Sequence, residues 1–263
     1  MKLKTIALLS LVLTISIGAF AQTTTTVKPQ PAVKPASDSA AQTAKMPTAK
    51  EILDKYAAAV GGRAANEKIK TRVTKAAFEF APMGIKGTSE TYNAAPDKSY
   101  SKMNLQGIGE IVTGTDGKTA WTMNPIQGNR DITGEELLQL KLANNLSRDV
   151  NLDKLYANWT VKGIEKVGGQ DAYVLVGTPA GLQPETFYFD KQSGLLVQSE
   201  STMVSPEGKM PAKAFYEDYR EIDGVKIPYK MRVVVPQAEI ITTITEIKHG
   251  AAIEEAKFAK PKQ

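Results

Sequence analysis

The sequence predicts an α+β domain built on a mostly antiparallel sheet. Three observations carry that reading. From Thr71 onward, runs alternate with a period of two residues, the strand period, about a dozen times in succession. Short Asp-Gly, Gly-Gly, Ser-Gly and Pro-containing turn signals separate these runs, so hairpins dominate over crossovers. Helical spacing occurs only at the start of the domain and once in its middle.

The chain opens with MKLKTIALLSLVLTISIGAFAQ. Lys2 and Lys4 form a positive n-region, Ile6 to Ile17 an apolar stretch, and Ala-Phe-Ala a small-x-small site after Ala21. Residues 1–21 therefore read as a secretory signal peptide, the apolar run falling short of the ~20 residues a membrane span needs. No Cys follows it, so no lipoprotein anchor is expected. Residues 22–47, rich in Thr, Pro, Ala and Lys and without aromatics, read as a disordered tether. The folded domain is expected over 48–263. The total lack of cysteine fits an exported bacterial protein that relies on its core, and the expected location is the periplasm, soluble and unanchored. The net charge of +5 falls to 5 − 2 = +3 once Lys2 and Lys4 are removed, too mild for nucleic acid but compatible with anionic lipid surfaces.

Thr48-Ala-Lys-Glu51 is a capping box, and Ile52, Leu53, Tyr56 and Val60 follow at helical spacing until Gly61-Gly62 ends the helix. Strands are expected at 71–81, 87–93, 99–105, 108–114 and 118–123. Pro125 to Asn129 reads as a turn. Thr133-Gly-Glu-Glu136 reads as a second capping box, leading a helix with Leu137, Leu138, Leu140, Leu142 and Leu146; SRDVNLDKLY reads as a further short helix. Strands return at 159–167, 173–178, 185–190, 195–203, 213–221, 225–235 and 239–248.

Motifs for chemistry fail one by one. Gly117-Lys118-Thr119 looks like the end of a phosphate-binding loop, but Val112 stands where its first Gly belongs, and Asp116-Gly117 reads as a type I′ hairpin turn. His249 is the single histidine, at the end of the last strand; with no Cys and no second His, the usual zinc sites and triads have no members. The acids of EDYREIDGVKIPYKMRV (Asp218, Glu221 and Asp223) sit among Arg220, Lys226 and Lys230. That stretch reads as a hairpin turning at Asp223-Gly224, with Pro228 marking an edge or a bulge. No catalytic residue, metal site or cofactor is expected, and the chain is read as a non-enzyme. A hydrolase using Asp218 and Glu221 is the weaker alternative.

Several strands are apolar on both faces. Phe187 and Phe189 oppose Tyr188, Leu195 and Val197 oppose Leu196, and Ile240 and Ile244 oppose Ile241 and Ile247. A half-barrel with one face on helices and the other lining a cavity fits this pattern, and so does an ordinary two-layer core. The cavity candidates are Trp121, Met123, Phe187, Phe189, Leu195 and Val197.

The segments EILDKYAAAVGG, GTDGKTAWTMNP, GGQDAYVLVG, FYFDKQSGLLVQ and DYREIDGVKIPYKM, in this order, resemble the periplasmic LolA/LolB-like superfamily of outer-membrane lipoprotein-sorting proteins, in its uncharacterised bacterial branch. The resemblance spans residues 48–261 and rests on hairpin text, with no catalytic signature in it. It implies a strongly curved antiparallel half-barrel whose helices close an apolar cavity. It also implies a carrier for a lipid, a lipoprotein acyl chain or another hydrophobic ligand in the bacterial envelope, with a membrane surface or envelope protein as possible partner. The alternative is an interaction or stress-sensing module of the same fold. The two helical regions are the lid candidates, with Leu137, Leu138 and Leu140 of the middle helix as the candidate residues.

Overall fold

The computed structural model describes residues 45–81 and 83–261. The signal peptide read at 1–21 lies outside them, as does the tether up to residue 44. Helix α1 (Ala49–Ala59) opens the domain, and α2 (Gly62–Asn66) follows it. Strands β1 (Thr71–Ala81), β2 (Ile85–Ala94), β3 (Lys98–Leu105), β4 (Gly109–Thr115), β5 (Ala120–Met123) and β6 (Arg130–Ile132) precede the central helices α3 (Gly134–Asn144) and α4 (Leu152–Leu155). Then come β7 (Tyr156–Val167), β8 (Gln170–Pro179), β9 (Glu185–Asp190), β10 (Leu196–Ser205), β11 (Gly208–Ile222), β12 (Val225–Val235) and β13 (Ala238–His249), and a short 3-10 turn at Glu255–Phe258. Among the described residues all thirteen strands form one sheet, ordered β6-β5-β4-β3-β2-β1-β13-β12-β11-β10-β9-β8-β7, and every pairing is antiparallel. The two runs of hairpins meet where β1 pairs with β13, and the sheet stays open between β6 and β7.

The sheet wraps around α3. Gln139 bonds the β10 backbone, accepting from Val204 N at 2.9 Å, and Asn144 accepts from Asn93 of β2 at 3.0 Å. Those two helix residues are about 7.5 Å apart along the axis. Strands β10 and β2 are five places apart in the order, about 24 Å on a flat sheet. One short helix reaches both only because the sheet curves into a trough with α3 inside it.

One end of the trough is packed solid. Ile52, Leu53, Tyr56 and Ala57 of α1 and Val60 just past its end meet Val150, Leu152 and Tyr156 and the inward side chains Leu175, Phe187, Phe189 and Leu196 in one buried cluster. Tyr56 and Phe189 lie 5.0 Å apart between ring centroids, and Phe187 stacks on Phe189 at 6.1 Å. The capping box at Thr48 forms as read: the Thr48 side chain accepts from Glu51 N, and Glu51 accepts from Thr48 N at 2.7 Å.

Several local readings are corrected. At Thr133 the helix starts, but no side-chain cap bond forms, and the Glu136 carboxylate is tied to Arg130. Residues 130–132, expected to carry no strand, form β6. Asp116-Gly117 is not a two-residue turn: β4 and β5 pair up to Thr115 and Ala120, leaving a four-residue loop whose Lys118 and Thr119 amides donate to the Asp116 carboxylate. Asp223-Gly224 is the true two-residue turn, both residues left-handed at φ 51° and 76°.

The stretch Glu217–Val233 is a hairpin of β11 and β12, with Lys230 donating to Glu217 at 2.8 Å. Pro228 is paired with Tyr219 in a segment of β12 that extends beyond the β13 pairing, so its missing N–H costs the sheet no rung on that side. Strict alternation breaks at Asp218, whose φ is 54°. As a result Tyr216 and Tyr219, three residues apart, both pack on the inner cluster, and Tyr219 donates to Leu196 O at 2.8 Å.

Candidate functional site

The candidate site is the part of the trough that the α1 cluster leaves unfilled. Its floor follows from register. Ala76 faces Ile244 and Phe80 faces Ile240 across β1 and β13, and Val233 faces Ile240 across β12. All belong to the face on which α3 sits, since Asn93 of that face bonds α3. Phe80, Ile240, Ile244, Met231 and Val233 are only half-buried. A run of large apolar side chains left half-wet on the inside of a curved sheet is space for an apolar guest.

Helix α3 divides that space. On the β9–β12 side lies a cavity of about 430 Å³, between Leu142 and Ala143 of the helix and Ser199, Met203, Ala214, Met231 and Val233 of the sheet. Small inward residues on β10 and β11 (Ser199, Ser201, Ala212, Ala214) give it depth. On the β4–β6 side a second hollow of about 390 Å³ runs between Leu140 and Ile111, Thr113, Thr122 and Ile132. Both volumes lie within the usual range for ligand sites, roughly 300–1,000 Å³.

The larger cavity has a polar wall. Arg148, from the turn between α3 and α4, donates through Nη2 to the Tyr156 hydroxyl at 2.7 Å and stands 3.5 Å from Glu185. Tyr156 in turn donates to Glu185 at 2.9 Å. Burial pushes the Glu185 carboxyl up, against the pull of Arg148 and the Tyr156 hydrogen bond. Burial alone would lower Arg148, but Tyr156, Tyr216, Asp149 and Glu185 around it outweigh that and hold it firmly protonated. Tyr216, pushed up by burial, bonds Ser199 at 3.0 Å.

Helix α3 is held in the trough mainly by polar ties. Arg130 grips Glu136, Lys209 pairs with Glu135, Gln139 clips β10, and Lys141 lies 3.5 Å from Asp97. None of its residues is fully buried. Leu142 packs on the α1 cluster, Leu140 lines the smaller hollow, Leu137 is half-buried, and Leu138 is exposed beside Gly181.

The sequence candidates fall into three places. Phe187 and Phe189 are fully buried under α1, and Leu195 packs on the same cluster. Val197 packs on the opposite face with Ala172, Val174 and Tyr188, because the bulge between Leu196 and Gln198 turns it outward and leaves Leu196 inside. Trp121 and Met123 also face outward: Trp121 covers Gly114 and lies 6.3 Å from Tyr100, on the face where Lys257 of the C-terminal segment stacks over Tyr92 and Tyr100. They flank a separate small hollow of about 180 Å³ with Lys260 and Pro261. The chain text did not single out Arg148, Glu185, Gln139, Met231 or Val233. Glu185 carried a readable signal, a carboxylate in period two with the apolar Phe187 and Phe189.

Asp218 and Glu221 are exposed; Asp218 is tied to Arg220 at 2.6 Å and Glu221 stands opposite Lys226. Among the described residues no cluster of three or more His, Cys, Asp or Glu is placed to hold a metal, and no helix is long and apolar enough to cross a membrane.

No family model matches the sequence, and no curated protein matches it. Solved structures do. A DUF1329 family protein from Desulfovibrio piger superposes with a TM-score of 0.56 at 15% identity, over 80% of this chain and 96% of that one. A LolA superfamily protein from Nitrosomonas europaea superposes with a TM-score of 0.54 at 15% identity, over 82% of this chain and 99% of that one. An open, curved antiparallel sheet wrapped around a central helix, shared with these proteins over nearly their whole lengths, gives this chain the LolA-like fold.

Proposed function

We propose that the protein binds an acyl chain or comparable hydrophobic group in its trough and carries it across the periplasm, exported by the signal peptide read at 1–21. The observation that carries this reading is the half-buried apolar floor of Phe80, Met231, Val233, Ile240 and Ile244, next to a cavity of about 430 Å³ beneath α3. Each methylene moved from water into such a site contributes about 0.8 kcal/mol, so ten contribute about 8 kcal/mol before ordering costs. That suffices for useful affinity without any covalent step, and the polar ties on α3 suit a cover that must open and reclose.

The test is titration with a fluorescent C16 fatty acid. Saturable uptake by the wild type, weakened at least tenfold by Val233→Asp in a protein that still melts cooperatively, supports the reading. Absence of saturable uptake by the wild type contradicts it.

A further inference from the structure

Resting on that reading, we propose that Arg148 binds the polar end of the ligand, and that this end is an uncharged acyl carbonyl, an ester or amide, rather than a free carboxylate or a phosphate. The first observation is an unused donor. Among the described residues the Arg148 side chain hydrogen-bonds through Nη2 alone, to the Tyr156 hydroxyl, while its Nη1, which is not sealed off, has no acceptor. A guanidinium offers five N–H donors, and a donor left without an acceptor as water is displaced carries a desolvation cost, larger when charged. A ligand oxygen in the cavity beside Arg148 removes that cost. The guanidinium packs beside the Tyr156 and Phe187 rings, 5.7 and 5.9 Å from their centroids.

The second observation decides the charge of that oxygen. Glu185 stands 3.5 Å from Arg148 and Asp149 lines the same cavity, so the guanidinium already faces carboxylates. A ligand anion would add a further negative charge beside Glu185, whose side chain is largely buried, and repulsion between like charges is strong there. A carbonyl supplies the acceptor without the charge. From Arg148 the lining then turns apolar through Met203, Met231 and Val233, giving the chain attached to that carbonyl a path along the trough floor.

The experiment uses the full chain and three probes at pH 7.5. N-phenyl-1-naphthylamine, which has no carbonyl, reports on the apolar trough alone; monopalmitoylglycerol and palmitate are read by displacing it. The wild type is expected to bind monopalmitoylglycerol at least fivefold more tightly than palmitate. Arg148→Met is expected to weaken monopalmitoylglycerol at least tenfold while leaving the naphthylamine within twofold. Glu185→Gln is expected to tighten palmitate at least fivefold relative to monopalmitoylglycerol. That second arm stands even where Arg148→Met fails to fold. Naphthylamine uptake with palmitate bound as tightly as the monoglyceride, or with Arg148→Met indistinguishable from wild type, overturns the inference and spares the carrier reading. A wild type that takes up no naphthylamine overturns both.

Discussion

Arg130 and Glu136 join by two parallel hydrogen bonds, Nη1 to Oε2 at 2.8 Å and Nη2 to Oε1 at 2.6 Å. This fork links the edge strand β6 to the first turn of α3, whose start at Thr133 makes no side-chain cap bond. Both side chains are about three-quarters buried, so the pair is worth more than a surface ion pair. Glu136→Gln is expected to speed hydrogen exchange of the α3 amides about tenfold while leaving β8 and β9 unchanged. Mass-resolved exchange checks this; equal protection in both proteins would show that the fork does not hold the helix.

The proposed role of α3 as a cover is tested on its leucines. Single changes of Leu137, Leu138 or Leu140 to Asp are expected to shorten ligand retention, Leu138 least because it is the most exposed of the three. Stopped-flow release of the bound fluorescent fatty acid measures it. Unchanged release in all three folded variants removes α3 from the mechanism.

Core and floor are expected to separate. Phe187 is fully buried, and Phe187→Ala is expected to cost about 3–5 kcal/mol of stability. Val233 is half-buried on the trough floor, and Val233→Ala is expected to cost about 1 kcal/mol or less while weakening ligand binding. Urea unfolding of both variants, beside their uptake curves, gives the two numbers for each.

Gly61 is a backbone junction. Its φ is 103°, and a Cβ there would stand 2.1 Å from Gly224 O, where the end of α1 meets the β11–β12 turn. The neighbouring Val60 O accepts from Lys226 N at 3.1 Å. Gly61→Ala is expected to destabilise by about 2–3 kcal/mol through that clash and the strained backbone, read as a lowered urea midpoint.

His249 provides a pH test. Its Nδ1 lies 2.9 Å from Asp223 and its Nε2 accepts from Arg72 at 3.1 Å. Burial, helped by Arg72 and opposed by Asp223, lowers its pKa below the ordinary value near 6.5. Between the lowered value and about 6.5 the unfolded chain binds more protons than the folded one, so this residue's contribution to stability falls as pH drops through that window. Wild type is expected to lose more stability than His249→Gln between pH 7.5 and 5.5. Parallel losses would place His249 outside the linkage.

Much of the fold was legible because the hairpins are local. The strand at Glu185–Asp190 and the turn at Asp223-Gly224 follow from period and turn chemistry alone. What failed was set across the sheet. The capping text at Thr133 did not reveal that Glu136 is tied to Arg130. The alternation of β11 gave no sign of its break at Asp218. Period two pairs Trp121 with Met123 but not with a face, and the C-terminal segment, by covering the outer side, makes an outward Trp121 as buried as an inward one. The polar wall of Arg148 and Glu185 joins residues from two distant segments, a contact no local pattern encodes.

The central claim is that the trough holds a hydrophobic guest. Native mass spectrometry of gently purified protein, followed by organic extraction, tests it most directly. The expected result is a lipid or acyl species near one per chain, lost on extraction and absent from Val233→Asp. A wild-type chain that flies empty and takes up no fluorescent fatty acid would contradict the claim and direct attention to a protein partner.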